Sequence, residues 1–246
     1  MKQSLRLAGL LLLMSWLAAC VYRPTPTPAP AVPDNSLITQ SPCAPPCWQG
    51  LTPGESTWSE ATDFMMNSPL INGNVGERHG PASGINVSQF WWWAGEVQGS
   101  GRGNVIDSDK SGLILYISIK PNTAITIGEV LQVYGPPTYV NLGLQYRPPD
   151  GFTTGPEGIF MDALYVEHGF WVRWFQDTPL TNRPFHFCPT TDIVLNTIEY
   201  YSPKMLDAKW NHEIDYVPPE GALKFEGKDF VTEQDGKIGL KCVTFK

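Results

Sequence analysis

The chain has 246 residues, 42% hydrophobic and 12% aromatic, with a formal net charge of −7. That apolar content argues against a disordered chain, which could not bury a core. The negative balance argues against a nucleic-acid surface, which needs clustered Lys and Arg, and against a second, electrostatic attachment to anionic lipid. Acidity of this size serves solubility, so it implies no cationic partner.

Lys2 and Arg6 make a basic start, Leu7 to Leu17 is mostly apolar, and Leu17-Ala18-Ala19-Cys20 closes the segment. An apolar run this short reads as a secretory leader over 1–19 rather than a membrane span. Small residues before a Cys resemble the bacterial lipobox, and that resemblance implies cleavage before Cys20 and its lipidation. The competing reading is an ordinary leader with an incidental Cys. Acyl chains contribute about 0.8 kcal/mol per buried methylene, so the first expected partner is the membrane itself. The expected localisation is the cell membrane, lipid-anchored and facing the extracytoplasmic side.

Residues 20–42 are Pro/Thr-rich, and Arg23-Pro24-Thr25-Pro26-Thr27-Pro28-Ala29-Pro30 favours an extended spacer. We read this stretch as a tether, with a proline-recognition ligand as the alternative. Of five Cys, lipidation of Cys20 leaves an even number, which in an exported chain suggests disulfides. The favoured pairs are Cys43–Cys47, across Ala44-Pro45-Pro46, and Cys188–Cys242, pinning the tail. A metal alternative requires Cys43, Cys47, Cys188 and His186 to converge.

Two helix openings organise the folded part. Thr57-Trp58-Ser59-Glu60 and Thr126-Ile127-Gly128-Glu129 are both Thr-x-x-Glu capping boxes, in which hydroxyl and carboxylate each satisfy a free backbone N–H. They lie 69 residues apart, so we expect two related units, 43–121 and 122–202, followed by a C-terminal appendage over 203–246. The first helix is predicted near 57–67, with Trp58, Ala61, Phe64 and Met65 on one face. It ends at Ser68-Pro69. Residues 70–87 read as a loop or irregular hairpin. Gln89 to Ala94 reads as a strand by aromatic content, and Gly99 to Gly103 as a turn or mobile loop. Leu113 to Ile119 is a strand with an apolar stripe of Leu113, Leu115, Ile117 and Ile119. The second helix is predicted near 127–134, ending with Gly135 in the left-handed C′ position before Pro136-Pro137. Strands follow over Thr138–Tyr146, Ile159–Glu167 and Phe170–Phe175, the last two joined by a two-residue His168-Gly169 turn. Ile193–Tyr201 is a further strand, and Leu206 to His212 one short helix. The fold class is α+β: short capped helices packed on what is mostly one continuous antiparallel sheet.

Gly50-Leu51-Thr52-Pro53-Gly54 with Ala61, and Thr126 to Val130 with Tyr134-Gly135-Pro136-Pro137, resemble a known repeat unit. It is similar to the small lipoprotein of the outer-membrane β-barrel assembly machinery and to the tandem-repeat β-lactamase-inhibitor protein. Pro46-Cys47-Trp48-Gln49-Gly50-Leu51-Thr52-Pro53-Gly54 also resembles the opening of a family of bacterial lipoproteins with no assigned activity. Departures are the Ser68-Pro69 ending of the first helix and a longer insertion before its strands. The resemblance implies a scaffold that binds other proteins through sheet and loops and holds no cofactor.

Trp91-Trp92-Trp93 is the most evident contact surface. Alternation separates Phe90 and Trp92, expected buried, from Trp91 and Trp93, expected on the other face near Trp171 and Arg173 of a neighbouring strand. Those four residues are the candidate binding surface. For hydrolysis, Asp162, Glu167 and Asp177 are close in sequence but sit where carboxylates are commonly solvated. No Gly-x-Ser-x-Gly or His-Glu-x-x-His occurs, His79, His168, His186 and His212 are scattered, and Gly99–Gly103 lacks the Lys a phosphate loop needs. Cys188 two residues from His186 is poorly placed as a nucleophile. No catalytic residue, cofactor or metal is therefore assigned. The expected function is a non-enzymatic envelope module binding a protein or surface ligand. The alternatives are a glycan or cell-wall hydrolase, or an enzyme inhibitor using a loop such as Asp150 to Gly158.

Overall fold

The computed structural model describes residues 33–71, 75–82, 85–92, 104–108, 112–121, 123–145, 158–177, 184–202, 223–234 and 237–245. Cys20, Trp93, Gly99–Gly103, residues 150–157 and Leu206–His212 lie outside them. No helix among the described residues is long and apolar enough to cross a membrane.

The folded body begins earlier than expected. Helix α1 (Ser36–Thr39) buries Leu37 to 1% exposure. The Asp34 carboxylate accepts from Trp48 Nε1 at 2.7 Å, Gln49 Nε2 at 3.2 Å and the Ser36 amide at 3.1 Å. The Tyr134 hydroxyl donates to the Leu37 carbonyl at 2.6 Å. The reading of 20–42 as tether is therefore corrected: from Asp34 onward the chain is packed on the body.

Both capping boxes form. Helix α2 (Trp58–Asn67) starts where Thr57 Oγ1 accepts from the Glu60 amide and Glu60 Oε2 accepts from the Thr57 amide. It ends at Ser68, whose extended backbone suits the residue before Pro69. Helix α3 (Ile127–Tyr134) repeats the arrangement with Thr126 and Glu129. Gly135 has φ 73° but ψ −162°, so its positive φ is as expected but its left-handed cap is not. The chain leaves extended, toward the next strand.

The remaining elements are β1 (Val75–Ala82), β2 (Ile85–Trp92), β3 (Asn104–Ser108), β4 (Ile114–Ile119), β5 (Tyr139–Gln145), β6 (Gly158–Tyr165), β7 (Phe170–Asp177), β8 (Phe185–Phe187), β9 (Thr197–Tyr201), β10 (Leu223–Glu226), α4 (Gly227–Phe230), β11 (Val231–Gln234), β12 (Lys237–Leu240) and β13 (Val243–Phe245). One nine-stranded sheet runs β1-β2-β3-β4-β9-β7-β6-β5-β10, and every neighbouring pair is antiparallel. Two meanders, β1-β2-β3-β4 and β5-β6-β7-β9, thus meet at β4 and β9.

Each N-cap Thr also makes an isolated bridge, Thr57 to Leu113 and Thr126 to Val194. Trp58 and Ile127 donate to the carbonyls of Gly112 and Ile193 at 2.7 and 2.9 Å. Ile114 and Leu195 donate back to Ser56 and Ile125, both at 2.8 Å. Helix start and inner strand are thereby tied in the same way twice.

One sheet face carries the main core. A row across it joins Ile106, Ile117, Tyr200, Phe170 and Tyr165, all buried. Ala61 and Met65 of α2, and Ile127, Val130 and Leu131 of α3, pack into the same cluster. The apolar stripe expected on β4 is displaced: Ile114, Ile117 and Ile119 are buried, whereas Leu113 and Leu115 are half-buried. Pairing Asp107 with Tyr116 but Ser108 with Ile114 inserts one residue at Leu115. Such a bulge moves the alternation to the other face.

Three further expectations change. β6 stops at Tyr165, paired with Phe170, and the connection is a 3-10 turn, Val166–His168, closed by left-handed Gly169 rather than two residues. β9 is shorter than Ile193–Tyr201, with only the bridge at Val194 preceding it. Nor are the described C-terminal residues an appendage. β10 adds an edge to the main sheet beside β5, β13 pairs with β8, and Phe230, Val243 and Phe245 enter the core.

Candidate functional site

The opposite, outer face of the sheet holds a mixed aromatic and ionic layer, buried at Phe160, Asp162 and Leu164 and half-buried at Trp171, Arg173 and Glu199, built where β5, β6, β7, β9 and β4 run side by side. One transverse row reads Thr197, Arg173, Asp162, Asn141. Alternation puts these residues opposite Val172, Ala163 and Val140 of the core. Arg173 donates through Nε to Asp162 Oδ1 at 2.7 Å and through Nη2 to Oδ2 at 2.9 Å. The fork geometry suits a carboxylate in two places at once. Asp162 keeps 3% of its side chain exposed and Arg173 43%, so the carboxylate is the buried partner and the guanidinium the presented one.

Aromatic rings fix where that guanidinium lies. Its carbon is 4.8 Å from the Trp171 ring and 5.8 Å from Phe160, within cation–π range. Phe160 in turn lies over Gly143 of β5: a Cβ there would stand 2.3 Å from the ring. Burial alone would lower the tendency of Arg173 to hold its proton. The charge and hydrogen bonds of Asp162, aided by Glu199 and Tyr201, outweigh burial and raise it well above the ordinary value. Arg173 is thus a permanent cation.

The next row joins Ser118, Glu199, Trp171 and Leu164. Glu199 accepts from the Ser118 hydroxyl at 3.3 Å and the Tyr201 hydroxyl at 2.5 Å. Tyr201 stacks on Tyr116 at 5.4 Å, and with Leu164 it forms a second small apolar cluster against Tyr116, Tyr139, Val166 and Trp171. Beside Asp162, Asn141 Oδ1 is buried with no hydrogen-bond partner.

The four sequence candidates divide. Trp171 and Arg173 are together, two residues apart on β7 and stacked. Trp91 falls in the same transverse row as Trp171, through Val105, Ser118 and Glu199. It is four strand spacings away rather than on a neighbouring strand, about 19 Å at the usual spacing, because β3, β4 and β9 intervene. Phe90 stands in register with buried Ile106.

Asp162 is not a solvated hairpin carboxylate but the buried half of the ion pair. Glu167 is exposed in the turn, and Asp177 pairs in register with Gly158. Sequence reasoning missed Glu199, Tyr201, Ser118 and Phe160, which carry no motif and meet only across strands.

The cysteines pair as Cys43–Cys47 and Cys188–Cys242. Convergence of Cys43, Cys47 and Cys188 on a metal, and use of Cys188 as a nucleophile, are both overturned, because Cys43 is bonded to Cys47 and Cys188 to Cys242. His186 Nδ1 instead shares a 2.8 Å hydrogen bond with Thr244. Compared with known proteins, the chain matches no family model, no curated protein and no solved structure.

Proposed function

We propose that this is a lipid-anchored, extracytoplasmic binding module, built from two related helix-and-meander units and contacting a protein partner through the outer face around Trp171 and Arg173. The observation that carries the contact surface is the Arg173 guanidinium, held on two bonds by a buried carboxylate, laid on Trp171, and still 43% exposed. Arg and Trp held in place before binding lose little conformational freedom on contact, and such side chains dominate the energetics of protein interfaces.

Relatedness of the units is supported by the paired capping boxes and by the matching bridges at Leu113 and Val194. The two disulfides agree with an oxidising compartment, and Cys20 after Leu17-Ala18-Ala19 supplies the anchor. Binding is favoured over hydrolysis because the two carboxylates in register with Arg173 and Trp171 are engaged, Asp162 by Arg173 and Glu199 by two hydroxyls. A glycosidase needs one carboxyl free to donate a proton and the other free to attack or activate water.

Affinity capture from solubilised membranes tests the proposal, comparing wild type with Trp171→Ala. We expect a protein retained by the wild type and lost with the variant. Identical recoveries would remove the outer face from the account. Hydrolysis of a glycan abolished by Asp162→Asn would replace binding with catalysis.

A further inference from the structure

We propose that the C-terminal segment is a redox-released clasp on the sheet edge, with Cys188–Cys242 as its latch. β10 covers β5 over four residue pairs, Leu223 with Leu142 through Glu226 with Tyr139. At the end of that pairing the Gly227 amide donates to the Thr138 carbonyl at 3.1 Å. A Cβ on Gly227 would stand 1.6 Å from the Pro137 oxygen, so the segment is seated against backbone that cannot yield. Behind β10, Phe230 is buried, and the chain returns through the Lys241 amide, which donates to the Phe230 carbonyl at 2.9 Å. β13 then lies along β8, from Val243 with Phe187 to Phe245 with Phe185.

Cys242 immediately precedes β13 and Cys188 immediately follows β8, so the disulfide continues that ladder by one step. Both cysteines are exposed, although the strands they join bury Phe187, Val243 and Phe245. A thiol can therefore reach the bond without the fold opening first. Cys43 and Cys47 are only half-exposed and span four residues, against 54 for Cys188–Cys242. Breaking the short link frees no element, whereas breaking the long one leaves β10, α4 and β13 held by noncovalent contacts alone.

The reductant is a dithiol. Its thiolate attacks one protein sulfur to form a mixed disulfide and expel the other cysteine as thiolate. Its second thiol then displaces the first cysteine. Two electrons and two protons pass to the protein, which ends with two thiols while the reductant ends as a disulfide. The clasp then opens more often, baring the edge of β5.

Hydrogen-exchange mass spectrometry on the folded full chain tests this, using Cys43→Ser/Cys47→Ser so that dithiothreitol has one bond to reduce. On reduction, amides of 223–230 and 139–145 should exchange faster by roughly tenfold or more, as expected for local opening, and should run well ahead of 159–165 and 170–175 in the reduced protein. Equal exchange in both states would show that the bond latches nothing. Exchange of β5, β10, β6 and β7 at one common rate after reduction would make it a brace of the whole fold. Should the variant not fold, dithiothreitol added to folded wild type gives the same comparison over the same peptides.

Discussion

Arg173 and Asp162 show how unequally the two halves of an ion pair are exposed. Because Asp162 is buried more deeply than Arg173, removing the cation strips the carboxylate of a two-bond partner. Arg173→Ala should therefore cost about 1.5–3 kcal/mol, read as a lower midpoint in urea unfolding. Arg173→Met with Asp162→Leu should recover most of that loss, since the buried carboxylate is removed together with its partner. A double variant as unstable as the single one would mean that the loss comes from packing on Trp171 and Phe160. Gly143 is constrained from the other side. Gly143→Ala must push the Phe160 ring away from its 2.3 Å approach, costing about 1–3 kcal/mol. The measurable sign is altered near-ultraviolet dichroism as the ring moves.

At the scale of the element, the two capping boxes make a common prediction. Thr57→Ala and Thr126→Ala should each cost about 1 kcal/mol. Glu60 and Glu129 are held below the usual 4.5, first by the backbone N–H of the capping Thr and then by its hydroxyl. A carboxylate lowered in the folded state stabilises above its unfolded pKa, and that contribution fades as pH falls through the lower folded value. Stability should therefore drop on acidification below about pH 4.5, and Glu60→Gln with Glu129→Gln should flatten that drop in acid unfolding curves.

These helices were legible because a cap is local chemistry, written within four residues. Strand pairing is not local, and there the sequence misled in definite ways. A two-residue turn at His168-Gly169 would have set Asp162 opposite Phe175. The actual four-residue connection, with Gly169 at φ 67°, sets it opposite Arg173. The error of two kept every residue on its face but concealed the ion pair. At Leu115 the bulge did the reverse, changing faces within a strand whose apolar run, Leu113-Ile114-Leu115, fits either alternation. Glu199 and Ser118 lie 81 residues apart, and nothing in either neighbourhood announces the other.

For the whole molecule, the disulfides differ mainly in the loop they close. On the chain-entropy model a 54-residue loop is worth about 4 kcal/mol and a very short one about 2. Cys188→Ser/Cys242→Ser should thus lower thermal stability about twice as much as Cys43→Ser/Cys47→Ser. The anchor belongs to the same scale. Mass spectrometry of the mature N-terminus should find acylated Cys20, and an unmodified start elsewhere would end that part of the proposal. The proposed binding side is the outer sheet face, not the helical one. A photoreactive residue placed at half-exposed Thr197, beside Arg173, and at exposed Ser59 on α2 tests it most directly in intact cells. One protein adduct is expected from position 197 and none from 59. Adducts from 59 alone, or none from 197, would contradict it.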